Sequence, residues 1–192
     1  MKLVKSAVLL FSLAGVGVGA GVGVAQAAPT AVIETSIGTM KFELHQQAAP
    51  QTTARFIELA KAGWYNGKSF YRVVKGHVAQ AGINDDNHPD HQKYRVPAEF
   101  SDKLPHIRGS LGMVRDEDPN SGSTEFFICL ERRAHLDGKY TNFGQLTDGD
   151  KVLDAFAALP VEEKWIDNPG AKPIAFHSPK QQVVIKQIRI EP

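Results

Sequence analysis

A single guanidinium, Arg72, stands inside the apolar and aromatic run Phe70-Tyr71-Arg72-Val73-Val74, and an amide, Gln80, follows it in the stretch HVAQAG. Strands alternate their side chains between two faces, so Arg72 can be read as a solvated residue whose neighbours face a core. It can also be read as a charged donor placed at a site, and residues further along the chain decide between the two.

Other residues with chemical capacity are few. His88 and His91 lie three apart in the acid-rich loop INDDNHPDHQ, where Asp85, Asp86 and Asp90 complete a conceivable ligand set. No further ligand follows at a defined spacing, so the loop reads as solvated and no metal is expected. The lone Cys129 sits in FFICL, with no basic or polar neighbour to activate a thiolate and no second cysteine to pair with. It reads as core. Neither a G-x-S-x-G elbow nor a phosphate-binding glycine loop is present.

The elements that must position Arg72 are mostly strands. AVIET and TMKFEL flank Ser36-Ile37-Gly38, a hairpin signal with glycine in the turn. PQTTARFIELAKAG reads as an amphipathic helix, with a threonine near its start, Phe56, Leu59 and Ala60 on one face, and Gly63 as its stop. SFYRVV, HVAQAG, GSLGMV, EFFICL and NFGQL then read as short strands between Asp-, Pro-, Asn- and Gly-rich loops. DKVLDAFAAL gives a second helix and QQVVIKQIRI a closing strand. This pattern predicts a mainly β fold, a closed antiparallel barrel rather than a parallel sheet.

Residues 1–27 stand apart from that domain. Lys2 and Lys5 precede the run AVLLFSLAGVGVGAGVGV, and Ala25-Gln26-Ala27 follows as a small-x-small cleavage pattern, so the segment reads as a secretory signal with 28–192 as one domain. A retained membrane anchor is the competing reading, because the apolar run is nearly long enough to span a bilayer. Without 1–27 the chain carries 20 basic against 21 acidic residues. That balance argues against nucleic acid or an anionic membrane surface as partner.

FYRVVKGHVAQAG, then GSLGMVRDEDPNSGSTEFFICL, then HLDGKYTNFGQL occur in an order that resembles the cyclophilin family of peptidyl-prolyl isomerases. The likeness extends from about Thr30 to the C-terminus and includes the helix start AP-x-T-x-x-x-F from Ala49 to Phe56. It implies an eight-stranded antiparallel barrel capped by two helices, with a proline-binding groove on the outer surface. By motif, Arg72 matches the catalytic arginine, Gln80 the groove glutamine, Phe127 the floor of the proline pocket, Leu136 another wall and Met113 a neighbouring strand position. The resemblance further implies a monomer that needs no cofactor and acts on proline-containing segments. Together with the signal-like segment, this gives the expectation of a periplasmic or secreted isomerase that accelerates X-Pro isomerisation during folding of exported proteins and keeps no stable membrane association after signal cleavage.

Several pocket positions depart from the family pattern. His77 stands where phenylalanine is usual and Val78 where methionine is common. His135 replaces an aromatic before Leu-Asp, Tyr140 replaces a histidine, Glu125 replaces the glutamine before Phe-Phe, and Val114-Arg115 replaces a small residue followed by asparagine. Imidazoles bury less area and bring nitrogens that need partners. A proline pocket lined by Val78, Phe127 and Leu136 therefore favours catalysis. One filled by His77 and Glu125 favours a module that binds proline segments without useful turnover. An unperturbed groove imidazole titrates near pH ~6.5, predicting loss of activity from roughly pH 7.5 to 5.5.

Overall fold

Alternating apolar residues build the first hairpin. Met40, Phe42 and Leu44 of β2 (Gly38–Leu44) point into the core, as do Ala31 and Ile33 of β1 (Thr30–Thr35), and the two strands pair antiparallel from Thr30–Glu43 to Thr35–Gly38. The computed structural model describes residues 27–82, 91–166 and 174–192. Residues 1–26 of the signal-like segment and Asp85, Asp86, His88 and Asp90 lie outside these residues, and nothing is described of the His91 side chain. Among the described residues no group of three or more His, Cys, Asp or Glu is placed to hold a metal, and no helix is long and apolar enough to cross a membrane.

Helix α1 (Pro50–Lys61) buries Phe56, Leu59 and Ala60, the face expected from their spacing, and Gly63 ends it at φ 71°. No threonine caps it. Ala49 is the N-cap, and Glu99, far along the chain, accepts from the Gln51 and Thr52 amides at 2.9 Å each. A carboxylate there satisfies orphan amides and faces the positive helix end. Thr52 and Thr53 are buried instead.

Six further strands complete the main sheet: β3 (Arg72–Val74), β4 (Val78–Ala81), β5 (Ser110–Met113), β6 (Phe126–Cys129), β7 (Asn142–Asp148) and β10 (Ile185–Glu191). Their order is β10-β1-β2-β7-β5-β6-β4-β3, every neighbour antiparallel. The expected closure is therefore corrected: the sheet curls but does not close, because its edge strands β3 and β10 do not pair along their lengths. The chain entering β3 meets the chain entering β10 at one bridge, Ser69–Val184, supported by bonds such as Phe70 N to Val183 O at 2.9 Å. β3 lies instead against β9 (Ile174–Pro179), which pairs only with β8 (Val161–Ile166). That small hairpin was not anticipated, since the charged run Glu162-Glu163-Lys164 hides any period-two pattern.

Helix α2 (Asp150–Ala158) adds Val152, Leu153 and Phe156 to the core inside the curl. There Phe56 meets Phe126 edge-on at 5.5 Å and Phe70 meets Phe156 at 4.7 Å. These are favourable offset arrangements for buried rings.

Candidate active site

One row of paired residues crosses four strands. Arg72 on β3 stands opposite Gln80 on β4, Gln80 opposite Phe127 on β6, and Phe127 opposite Gly112 on β5. Period-two alternation explains why β6 is apolar throughout: Phe126 and Ile128 face the main core, while Phe127 and Cys129 form an outer cluster with Val78 and Leu136. Gly112 is required by packing. A Cβ there would stand 2.0 Å from Phe127 Cζ, so the Phe127 ring lies directly across the glycine.

This row floors a groove of about 240 Å³ lined by Arg72, His77, Val78, Gln80, Phe127, Leu136 and Tyr140, together with Val114 and Arg115. Val78, Phe127 and Leu136 are each at most 7% exposed. They form the apolar wall expected of a proline pocket, with Tyr140 edge-on to Phe127 at 5.8 Å. A larger cavity of about 540 Å³ lies beside Glu43, Leu44, His45 and Leu104, shares no residue with the groove and holds no arginine. The groove, with its directed cations, is the better chemical candidate.

Charges at both ends orient the Gln80 amide. Arg72 Nη1 donates to Gln80 Oε1 at 3.1 Å, and Gln80 Nε2 donates to Glu125 Oε2 at 2.9 Å. A guanidinium can only donate and an ionised carboxylate can only accept, so the amide has one favoured orientation. The Tyr71 hydroxyl joins the network, accepting from Gln80 and donating to Glu125. Burial first, and then the Glu125 charge, push the Tyr71 pKa far above its usual value, so it remains a donor. Its ring stacks on Phe176 of β9, with centroids 5.9 Å apart and planes 14° from parallel.

Three expected site residues stand elsewhere. Glu125 lies beneath the groove wall on Tyr71 and Gln80 rather than in the proline pocket. Met113 packs in the main core and faces a shallow neighbouring depression with Val96, Pro97 and Phe100. His135 is exposed and does not line the groove; its ring abuts that of His77 at 5.2 Å. His77 does reach the groove. Burial, followed by the nearby charges of Arg133, His135 and Arg72, lowers its pKa.

A clamp outside the groove sets Leu136. Arg132 and the His106 amide bind the Asp137 carboxylate, His106 N at 2.8 Å, just after the short turn Ala134–Leu136. These bonds, Arg132 first, bring the Asp137 pKa down to about 2. Tyr71 and Phe176 do not figure among the expected site residues. Arg115 was legible as a substitution in the family pattern, whereas Phe176 had no local signal.

A family profile described as cyclophilin type peptidyl-prolyl cis-trans isomerase/CLD matches residues 30–190. A peptidyl-prolyl cis-trans isomerase of Synechococcus elongatus is 37% identical over 129 residues, covering 67% of this chain and 87% of its own length. One from Helicobacter pylori is 34% identical over 143 residues, covering 73% and 88%. A Cryptosporidium parvum cyclophilin type peptidyl-prolyl cis-trans isomerase, crystallised in the presence of the dipeptide Ala-Pro, superposes with a TM-score of 0.72 at 26% identity, covering 85% of this chain and 99% of that one. The chain therefore belongs to the cyclophilin-type peptidyl-prolyl cis-trans isomerases.

Proposed function

We propose that this isomerase rotates X-Pro bonds in exported polypeptides, with Arg72 stabilising the twisted amide and Val78, Phe127 and Leu136 gripping the proline ring. Rotation breaks amide resonance against a barrier of ~18–20 kcal/mol, and uncatalysed exchange takes roughly tens to hundreds of seconds. As the bond twists, the prolyl nitrogen recovers a lone pair absent from either planar state. An N–H aimed there binds the transition state in preference to both ground states.

The observation that carries this reading is the fixed row Arg72–Gln80–Phe127, which places an oriented donor beside an apolar pocket. A hydrogen bond from a charged donor is worth about 1.5–3 kcal/mol, or roughly tenfold to a few hundredfold in rate. The remainder falls to the shaped groove. Because Glu125 is engaged by Tyr71 and Gln80, the pocket keeps its apolar wall, which favours turnover over passive binding.

The test is a prolyl-isomerase assay of wild type beside Arg72→Ala and Arg72→Lys. Arg72→Ala should lower kcat/KM at least about tenfold, with Arg72→Lys also impaired, since lysine lacks the rigid fork that directs the N–H groups. Wild-type activity in Arg72→Lys would refute the directional role. The Lys2/Lys5 start, apolar run and Ala25-Gln26-Ala27 pattern support export to the periplasm or beyond. Cell fractionation with N-terminal sequencing tests it: a mature chain starting near Ala28 is the expected product. Large apolar side chains exposed among the described residues are confined to Phe100, Ile107 and Trp165, which supports a monomer; sedimentation velocity checks it.

A further inference from the structure

Arg115 enters the groove wall where its family pattern has an uncharged side chain, and its guanidinium meets no anionic side chain among the described residues. Its Nε donates to Lys139 O at 2.9 Å and its Nη1 to Asp116 O at 2.6 Å, with a longer contact from Nη1 to Glu117 O. The guanidinium carbon lies 4.6 Å from the Tyr140 ring centroid and 6.0 Å from that of Phe100. These contacts fix the guanidinium without neutralising it. Among the described residues no carboxylate pairs with it, and Nη2 has no hydrogen-bond partner.

Its position is as informative as its charge. Arg115 lines both the groove and the adjoining depression formed with Val96, Pro97, Phe100 and Met113, so a chain running out of the groove on that side passes it. The other permanently charged residue of the groove lining, Arg72, has the same sign. Among the described residues Arg72 is met only by an amide oxygen, the Glu125 carboxylate is already held by Tyr71 and Gln80, and Arg133, near His77 but outside the groove lining, is paired with Glu131 at 3.2 Å. The neighbouring acids do not quench Arg115: Asp116 and Glu117 offer it carbonyls, and Asp118 accepts from the Asn120 amide at 2.9 Å. Among the described residues the groove lining is thus positive, in a chain whose charges nearly balance.

We propose that Arg115 makes the enzyme selective for proline segments carrying an acidic side chain within two residues of the proline. A directed, half-buried guanidinium backed by an aromatic face is suited to a carboxylate. Two extended residues span only about 7 Å, so a carboxylate further along the chain has no fixed relation to it. The proposal rests on the isomerase reading of the groove and adds a substrate class to it.

The test uses short peptides with Glu, Gln or Lys at each of the two positions on either side of one proline. Both kcat/KM and affinity, the latter by NMR titration, are measured for wild type, Arg115→Gln and Arg115→Glu. At one position wild type should favour Glu over Gln about fivefold, a preference that shrinks in 0.5 M salt. The ratio is taken within each enzyme, so changes in general turnover cancel. Arg115→Gln should bring it close to one, and Arg115→Glu should shift preference towards Lys. Equal Glu, Gln and Lys values in wild type at every position overturn the proposal, whether or not the variants fold. A wild type that turns over none of the peptides overturns the isomerase reading instead, and the NMR affinities still decide the charge selection.

Discussion

Among single residues, His77 is the groove side chain through which pH can act on substrate binding. Its ring sits at the groove, and burial together with Arg133, His135 and Arg72 lowers its pKa below the ordinary 6.5. It is therefore neutral at pH 7, and the window for loss of activity moves below pH 6.5 rather than beginning near pH 7.5. Protonation then places a cation where the proline ring docks. The expected profile of kcat/KM is flat from pH 8 to 6.5 and falls below it, while His77→Phe stays flat throughout. A wild-type profile as flat as the variant's would show that His77 does not face bound substrate. The stability sign agrees: the unfolded chain takes up the proton more readily, so the contribution of His77 is complete above pH 6.5 and is lost as pH falls towards the folded pKa. Burial lowers His45 and His106 in the same direction.

At the scale of elements, two contacts translate packing into function. Phe127 lies across Gly112, where a Cβ would come within 2.0 Å of the ring. Gly112→Ala should push Phe127 out of its seat, with an overpacking cost of about 1–3 kcal/mol, which lowers Tm by several degrees in a domain of this size. Peptide binding should weaken at the same time, so calorimetry and NMR titration read the two effects separately; unchanged affinity would show that Phe127 is not the pocket floor. The second contact joins the β8–β9 hairpin to the groove, because Phe176 stacks on Tyr71, Tyr71 holds Gln80, and Gln80 holds Arg72. An aromatic pair is worth about 0.5–1.5 kcal/mol beyond its buried area. Phe176→Ala should lower kcat/KM about two- to tenfold and lower Tm by a few degrees, and Phe176→Tyr should restore both. Full activity in Phe176→Ala would separate the hairpin from catalysis.

At the scale of the whole molecule, Cys129 reports the integrity of both apolar clusters. It belongs to the outer cluster yet is fully buried, on a strand whose Phe126 and Ile128 belong to the inner core. Burial pushes its thiol pKa up to about 12. The native protein should not react with a neutral-pH disulfide reagent on the minute scale, and one thiol should appear cooperatively with loss of circular dichroism as urea is added. Reaction ahead of unfolding would reveal local opening beneath the groove. Reducing agent should leave Tm unchanged, since the chain has no second cysteine to pair.

Local pattern was enough for the first hairpin, both helices and the burial of Cys129. Each depends on residues close in sequence, where periodicity and turn chemistry act directly. Whether the barrel closed was not legible, because edge pairing between β3 and β10 joins segments more than a hundred residues apart. Glu99 as the cap of α1, Phe176 as the support of Tyr71, and Glu125 as a groove-wall anchor share that long-range character. The same holds for charge. Composition counts acids and bases and finds them nearly equal, whereas the fold brings Arg72 and Arg115 to one groove and ties the Glu125 carboxylate to the neutral partners Tyr71 and Gln80. Electrostatic potential depends on distance and burial, and for residues far apart in sequence only tertiary structure sets both.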